Sequence, residues 1–366
     1  FLYKNRKDWF LYSVLLFATI FPLVWITINN SNVYGGWRHL IFIYLPLVAL
    51  SALGISTLID LLKNKYVKII VILCFVTLSL HPIIHSIKNN PYQYVYFNQL
   101  CGSTKGAYGQ YELDYYYHSL REASEWIIEN TKQDSTTKDK IIVACWHKPI
   151  IDYYFRNDTT KFKTEFVRWN EKGEFDWDYA IFCNTGIYPT HLLRGGFPPK
   201  TTIHRIEVDG LPICIILKRD DKNDLYGTNA KNKGDLDKAL HHYQLALSKD
   251  SLNETALLNT GQIYLYKAQE EDTLYYERAD SALTTLNRLL KYNPEHENAN
   301  YFKSYALLMK DDVNGSLHIL NELITKYNPN YPAAYELIAN IFFQLGEIDK
   351  AEGYLLKLID KGVADE

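Results

Sequence analysis

The sequence is poor in cysteine, and its five cysteines (Cys74, Cys101, Cys145, Cys183 and Cys214) show no C-x-x-C spacing. That argues against a zinc ribbon or a disulfide framework as the organising element. Free thiols packing as small hydrophobes are the simpler reading: Cys74 lies in a long apolar run, and Cys145, Cys183 and Cys214 lie in short ones. A large charge of one sign is also missing. The formal net charge of -3 points to neither nucleic acid nor a bulk polyanion as partner. Charged residues are scarce between Trp9 and Ile87 and plentiful afterwards, so an ordinary average composition conceals a membrane-like part and a polar part. An initiating methionine is absent as well. The chain opens on Phe1, and no signal-peptide cleavage site follows its first apolar run, so a piece of a longer protein is expected.

What is present first is apolar length. Trp9–Ile28, Leu40–Leu62 and Val67–Ile87 each approach the roughly 20 helical residues that cross a bilayer. Lys4, Arg6 and Lys7 precede the first run, and Lys63, Lys65 and Lys68 flank the turn between the last two. By the positive-inside rule both clusters are cytoplasmic, which puts the loop from Asn29 to Trp37 and everything after Ile87 outside. Arg38 and His39 then stand at the outer membrane face, where they serve either as an anchor at headgroup depth or as a functional pair.

The run Tyr34-Gly35-Gly36-Trp37-Arg38-His39 with Pro46 beyond it resembles the late outer loop and helix of GT-C glycosyltransferases. The branch is the bacterial one similar to protein O-mannosyltransferases and aminoarabinose transferases. The block Asn90-Pro91-Tyr92-Gln93-Tyr94-Val95-Tyr96-Phe97-Asn98, followed by Gly106-Ala107 and Glu112-Leu113-Asp114-Tyr115-Tyr116, resembles the segment that leads out of the membrane in the same branch. The resemblance implies that Arg38 and His39 face the phosphate of a polyprenyl-phosphate-linked sugar, with Tyr34 and Trp37 lining the approach; an Arg fork suits a phosphate. It also implies a catalytic carboxylate in an outer loop after a first span. The loop from Asn29 to Trp37 holds no Asp or Glu, so this stretch is expected to carry no catalytic residue of its own.

Between Ser119 and Asp220 the pattern becomes α/β. Ser119–Asn130 has helical spacing, and the runs 140–145, 178–183 and 212–217 read as buried strands. His147, Asp152, Asp176, Asp178, His191 and His204 lack metal-ligand spacing, and no P-loop, G-x-S-x-G or G-x-G-x-x-G occurs. These six are expected to be surface polar residues, with a hidden acceptor-binding site as the alternative. No metal or cofactor is expected.

After Asp220 a repeat appears. A small residue, a large one four later and an apolar one three beyond recur at Ala239/Tyr243/Ala246, Ala282/Leu286/Leu289, Ser316/Leu320/Leu323 and Ala351/Leu355/Leu358. The intervals are 43, 34 and 35 residues, with an insertion near Gln269–Glu277. This is similar to the second-helix signature of tetratricopeptide repeats, which stack to bury a shared core and leave a groove for a peptide or protein.

The expected protein is therefore a multi-domain membrane protein with three parts. These are transmembrane helices (1–88), a juxtamembrane segment with a small extracytoplasmic α/β domain (89–220), and an all-α tetratricopeptide-type solenoid (221–366). Two functions fit. One is the C-terminal portion of a polyprenyl-phosphate-sugar-dependent membrane glycosyltransferase, inactive without its missing spans. The other is a non-enzymatic membrane-anchored scaffold binding partner proteins. Either places the chain in a bacterial inner membrane with its C-terminal domains periplasmic, in contact with lipid and not with nucleic acid.

Overall fold

A computed structural model describes residues 9–33, 39–131, 139–270 and 274–360. The chain forms two compact units, Phe1–Tyr116 and Tyr117–Glu366.

The first unit contains α1 (Trp9–Ile28), α2 (Ile41–Leu61) and α3 (Lys65–Lys88), each long and apolar enough to cross a membrane. Their side chains face outward: Phe10 is 71% exposed and Leu45 is 78% exposed. In water such surfaces would be penalised; hydrocarbon accepts them. Several hydroxyls are satisfied within their own helices. Thr19 donates to Leu15 O, Thr27 to Leu23 O, Ser51 to Leu47 O and Thr77 to Leu73 O, each at 2.8 Å. That internal closure is what a span needs where water cannot compete. α1 and α2 meet around Phe21, Pro22, Phe42 and Pro46. After α3 the chain folds back on itself through the short helix α4 (Ser103–Ala107).

The second unit begins with α5 (Ser119–Asn130), β1 (Ile141–Cys145), α6 (Lys148–Phe155), β2 (Phe162–Phe166) and β3 (Tyr179–Cys183). It continues with α7 (Pro189–Leu193), β4 (Thr202–Val208) and β5 (Leu211–Lys218). The five strands form one sheet in the order β2-β1-β3-β5-β4. β1 runs parallel to β2 and β3, and β5 runs antiparallel to β3 and β4. Residues 213–217 of β5 are all buried, as expected of a strand covered on both faces. α5 contributes Leu120, Ala123 and Ile127 to this core. The edge strands β2 (FKTEF) and β4 (TIHRIEV) are richer in polar residues, because only part of each is covered.

Eight further helices follow: α8 (Asn223–Asn232), α9 (Leu236–Lys249), α10 (Glu254–Glu270), α11 (Tyr275–Tyr292), α12 (Glu297–Met309), α13 (Val313–Glu322), α14 (Pro332–Gln344) and α15 (Ile348–Asp360). They stack as four helix–turn–helix pairs. α13 runs on into a wider π turn at Leu323–Tyr327. Side-chain caps start several helices: Asp235 accepts from Lys238 N, Asn253 from Ala256 N and Asp312 from Gly315 N. The insertion lies within the second pair, where α10 and α11 run to 17 and 18 residues, against 13 in α12. The repeating small and large residues form the core; Ala239, Tyr243, Ala282, Leu286, Ser316 and Leu320 are all fully buried. Burying each Leu contributes about 2–3 kcal/mol. Leu355 departs from the pattern at 43% exposed, since among the described residues no helix stacks on α15.

Candidate functional site

Of the residues the glycosyltransferase resemblance singles out, Tyr34, Trp37 and Arg38 lie outside the described residues. His39 is described, and it is an exposed residue in the turn before α2. The second block of that resemblance is largely a packing element. Tyr94 donates its hydroxyl to the fully buried Asp114, and the rings of Tyr115 and Tyr116 stand 5.2 and 5.3 Å from that of Tyr94. Tyr96 lies against the end of α3, its hydroxyl 3.1 Å from His81 Nδ1 and its ring edge-on to His85.

The six scattered polar residues of the α/β region do not converge, and the expectation that all lie on the surface fails for His191, which is only 4% exposed. Asp152 takes Lys148 Nζ at 2.8 Å, and Asp176 and Asp178 pair with Lys222. His204 stacks on Trp126. His147 is half-buried beyond the end of β1. Among the described residues no group of three or more His, Cys, Asp or Glu side chains is placed to hold a metal. Among the described residues none of the five cysteines forms a disulfide, and Cys145, Cys183 and Cys214 are buried.

His191 belongs instead to a polar junction between the α/β layer and the helical array. At its centre is Glu254, the first residue of α10 and only 4% exposed. Its Oε1 accepts from Trp169 Nε1 at 3.1 Å and stands 3.1 Å from His191 Nδ1, and its Oε2 lies 3.5 Å from Asn293 Nδ2. Burial alone would raise this carboxyl. The cationic or protonatable groups of Lys172, His191 and His296, with the Trp169 N–H, outweigh burial and hold it below the usual carboxylate range. Burial pulls the neighbouring His296 imidazole down. A second buried pair ties the end of the sheet to α8: Arg219 Nη2 is 2.7 Å from Asp224 Oδ1. Between the two anchors, Gly173 sits so close to Thr255 that a Cβ would fall 2.3 Å from its hydroxyl. No spacing pattern announces this junction, because its members are spread from Trp169 to His296.

Beyond the junction, the first helices of successive repeats line one face. Lys231 of α8 reaches Asn259 and Gln262 of α10, Gln269 Nε2 donates to Tyr305 Oη of α12 at 2.7 Å, and Tyr331 Oη donates to Asn298 at 2.6 Å. Tyr301 packs against the Tyr331 ring. This is the face that a stacked helical array turns inward. It presents exposed Tyr266, Gln269, Asn298, Glu336, Asn340 and Phe343, a mixture of aromatic and amide groups with little charge. Such a mixture offers area for side chains together with donors and acceptors for a peptide backbone.

The four stacked pairs, with small residues where helices cross, are tetratricopeptide-type repeats. A tetratricopeptide repeat-containing protein of Methanocaldococcus jannaschii is 28% identical to this chain over 109 residues, which is 29% of this chain and 32% of the relative. The match thus spans about a third of that relative's length. A crystal structure of MamA is 26% identical, covering 37% of this chain and 72% of MamA at a TM-score of 0.31. MamA from Desulfovibrio magneticus RS-1 is 16% identical, covering 40% of this chain and 80% of that one at a TM-score of 0.34. No family model matches the chain. These similarities concern repeat proteins and give no support to the glycosyltransferase resemblance.

Proposed function

We propose that this chain is a membrane-anchored scaffold whose tetratricopeptide-type array holds partner proteins on its inner face. The observation that carries the reading is the continuous aromatic and amide face from Gln262 to Phe343, built on first helices whose spacing the buried small residues fix. The α/β layer closes the opening of the array through Glu254 and Arg219 and so leaves the later repeats as the binding surface. α1, α2 and α3 are the anchor. With the basic residues around Lys63 and Lys65 inside, the array stands on the outer side of the membrane, the periplasm of a bacterium. The test is photo-crosslinking in native membranes. A photoreactive residue at Gln269 or Asn340 should capture a discrete protein, and one at Thr284 on the second-helix surface should not; equal capture from both would refute the reading.

A second reading, the C-terminal portion of a polyprenyl-phosphate-sugar-dependent glycosyltransferase, rests on the Y-G-G-W-R-H and N-P-Y-Q-Y runs alone. In that reading Arg38 and His39 hold the lipid phosphate and Tyr34 and Trp37 flank it. Transfer from a lipid-linked sugar by the complete gene product, lost on Arg38→Ala, would favour it over the scaffold.

A further inference from the structure

We propose that the crevice at the carboxyl ends of β1, β2 and β3 binds a small anionic saccharide, a sugar ring bearing a carboxylate or a phosphate. The site follows from topology. β1 leads through α6 to β2 on one side, whereas β3 lies on the other side of β1. Loops that leave adjacent parallel strands in opposite directions open a gap at their carboxyl ends, where open α/β sheets hold ligands. Here the gap is a crevice of about 340 Å³, within the range of small-molecule sites.

Each strand delivers a different chemistry to it. From β1 comes Trp146, 40% exposed despite its size. Its ring lies against Gly186 so closely that a Cβ there would stand 2.7 Å from it, and the His147 ring stacks behind at 5.4 Å. The indole is thus a fixed platform. From β2 comes Arg168, which gives Nη1 to Glu171 at 3.1 Å and keeps further guanidinium donors. From β3 come Thr185 and Tyr188.

Among the lining residues, the buried Thr185 Oγ1 has no hydrogen-bond partner in the protein. Unpaired buried polar groups cost free energy unless a ligand satisfies them. An apolar ligand would leave this hydroxyl orphaned, and a bare anion would leave the Trp146 platform unused. A sugar ring meets both requirements, with C–H groups for the indole and a hydroxyl for Thr185. Its anionic group pairs with Arg168.

The test uses the full chain in lipid nanodiscs, titrated calorimetrically with glucuronate, glucose 1-phosphate and glucose. At least one anionic sugar should bind about tenfold more tightly than glucose, the size of one charge-assisted contact. The tighter of the two identifies carboxylate or phosphate as the preferred group. Arg168→Gln should erase the advantage over glucose, and Trp146→Ala should weaken all three. Arg168 is solvent-exposed, so R168Q remains a fair test even if W146A fails to fold. No binding of either anion up to about 10 mM, equal binding of glucose, or an unaffected R168Q would each overturn the proposal.

Discussion

Replacing Glu254 with Ala should loosen the α/β layer from the array more than any other single change. The substitution strands the indole N–H of Trp169, which loses its 3.1 Å partner, and the Asn293 amide nearby. It also removes the central carboxylate of a junction that contains His191, His296 and Lys172. Each buried donor left unpaired costs about 1–3 kcal/mol, and breaking one side of a buried charged pair typically costs about 3–5 kcal/mol. The two scales overlap because they count the same loss, so about 3–5 kcal/mol is expected for E254A. Glu254→Gln keeps an acceptor for Trp169 and should cost about half as much. Urea unfolding of the full chain in detergent, followed by tryptophan fluorescence, reads both. Trp169 is 4% exposed, so its emission should shift to longer wavelength in E254A before the array itself unfolds. A loss below about 1 kcal/mol would refute the reasoning, because the carboxylate would then contribute no more than a surface group.

Other predictions follow from the same structure. His296 and Glu254 both have folded values below their ordinary 6.5 and 4.5, so each binds protons more readily when unfolded. Stability should be full above about pH 6.5 and fall as the pH drops, first through His296 and then, below about 4.5, through Glu254. Lys172, His191 and Glu297 share this environment; a pH series of urea midpoints that is flat from 7 to 4 would contradict the assignment. A Cβ on Gly261 would stand 2.8 Å from the Leu286 side chain, whereas one on Gly353 meets nothing within 4 Å. Gly261→Ala should therefore destabilise by about 1–3 kcal/mol and Gly353→Ala should stabilise by about 0.5–1 kcal/mol, both measurable as shifts in thermal midpoint. Leu320→Ala should cost about 2–5 kcal/mol; Leu355→Ala, at a 43% exposed site, should cost under about 1 kcal/mol in the same melts.

What could be read from the sequence was whatever repeats locally. The apolar lengths of the first three helices, the Ala/Leu spacing of the second helices and the apolar runs of β1, β3 and β5 are periodic patterns, and the helices and strands lie where those patterns put them. β2 and β4 were not legible because edge strands need not be apolar; FKTEF and TIHRIEV are mostly polar and resemble exposed loops. The burial of His191 was illegible for a different reason. Its partner Glu254 lies 63 positions away in another layer, and nothing in the spacing of either announces the pair. The same holds for the crevice residues Trp146, Arg168 and Thr185, which only the crossing of β1 to β2 and β3 brings together. The block from Asn90 to Tyr116 stands out in the sequence through its resemblance to a glycosyltransferase segment; in the structure its Tyr94 hydroxyl donates to the buried Asp114.

The scaffold reading stands most directly on quantitative co-purification from membranes. The full chain, a triple inner-face variant (Tyr266→Ala, Asn298→Ala, Asn340→Ala) and an outer-face variant (Gln244→Ala, Thr284→Ala, Arg288→Ala) would be captured in parallel, with circular dichroism verifying that all three fold. Residues of both variants are exposed, so neither set disturbs the core. A defined protein that accompanies the full chain and the outer-face variant, and falls at least about tenfold with the inner-face variant, is the predicted result. Equal recovery with both variants would show that the inner face binds no partner and would contradict the account.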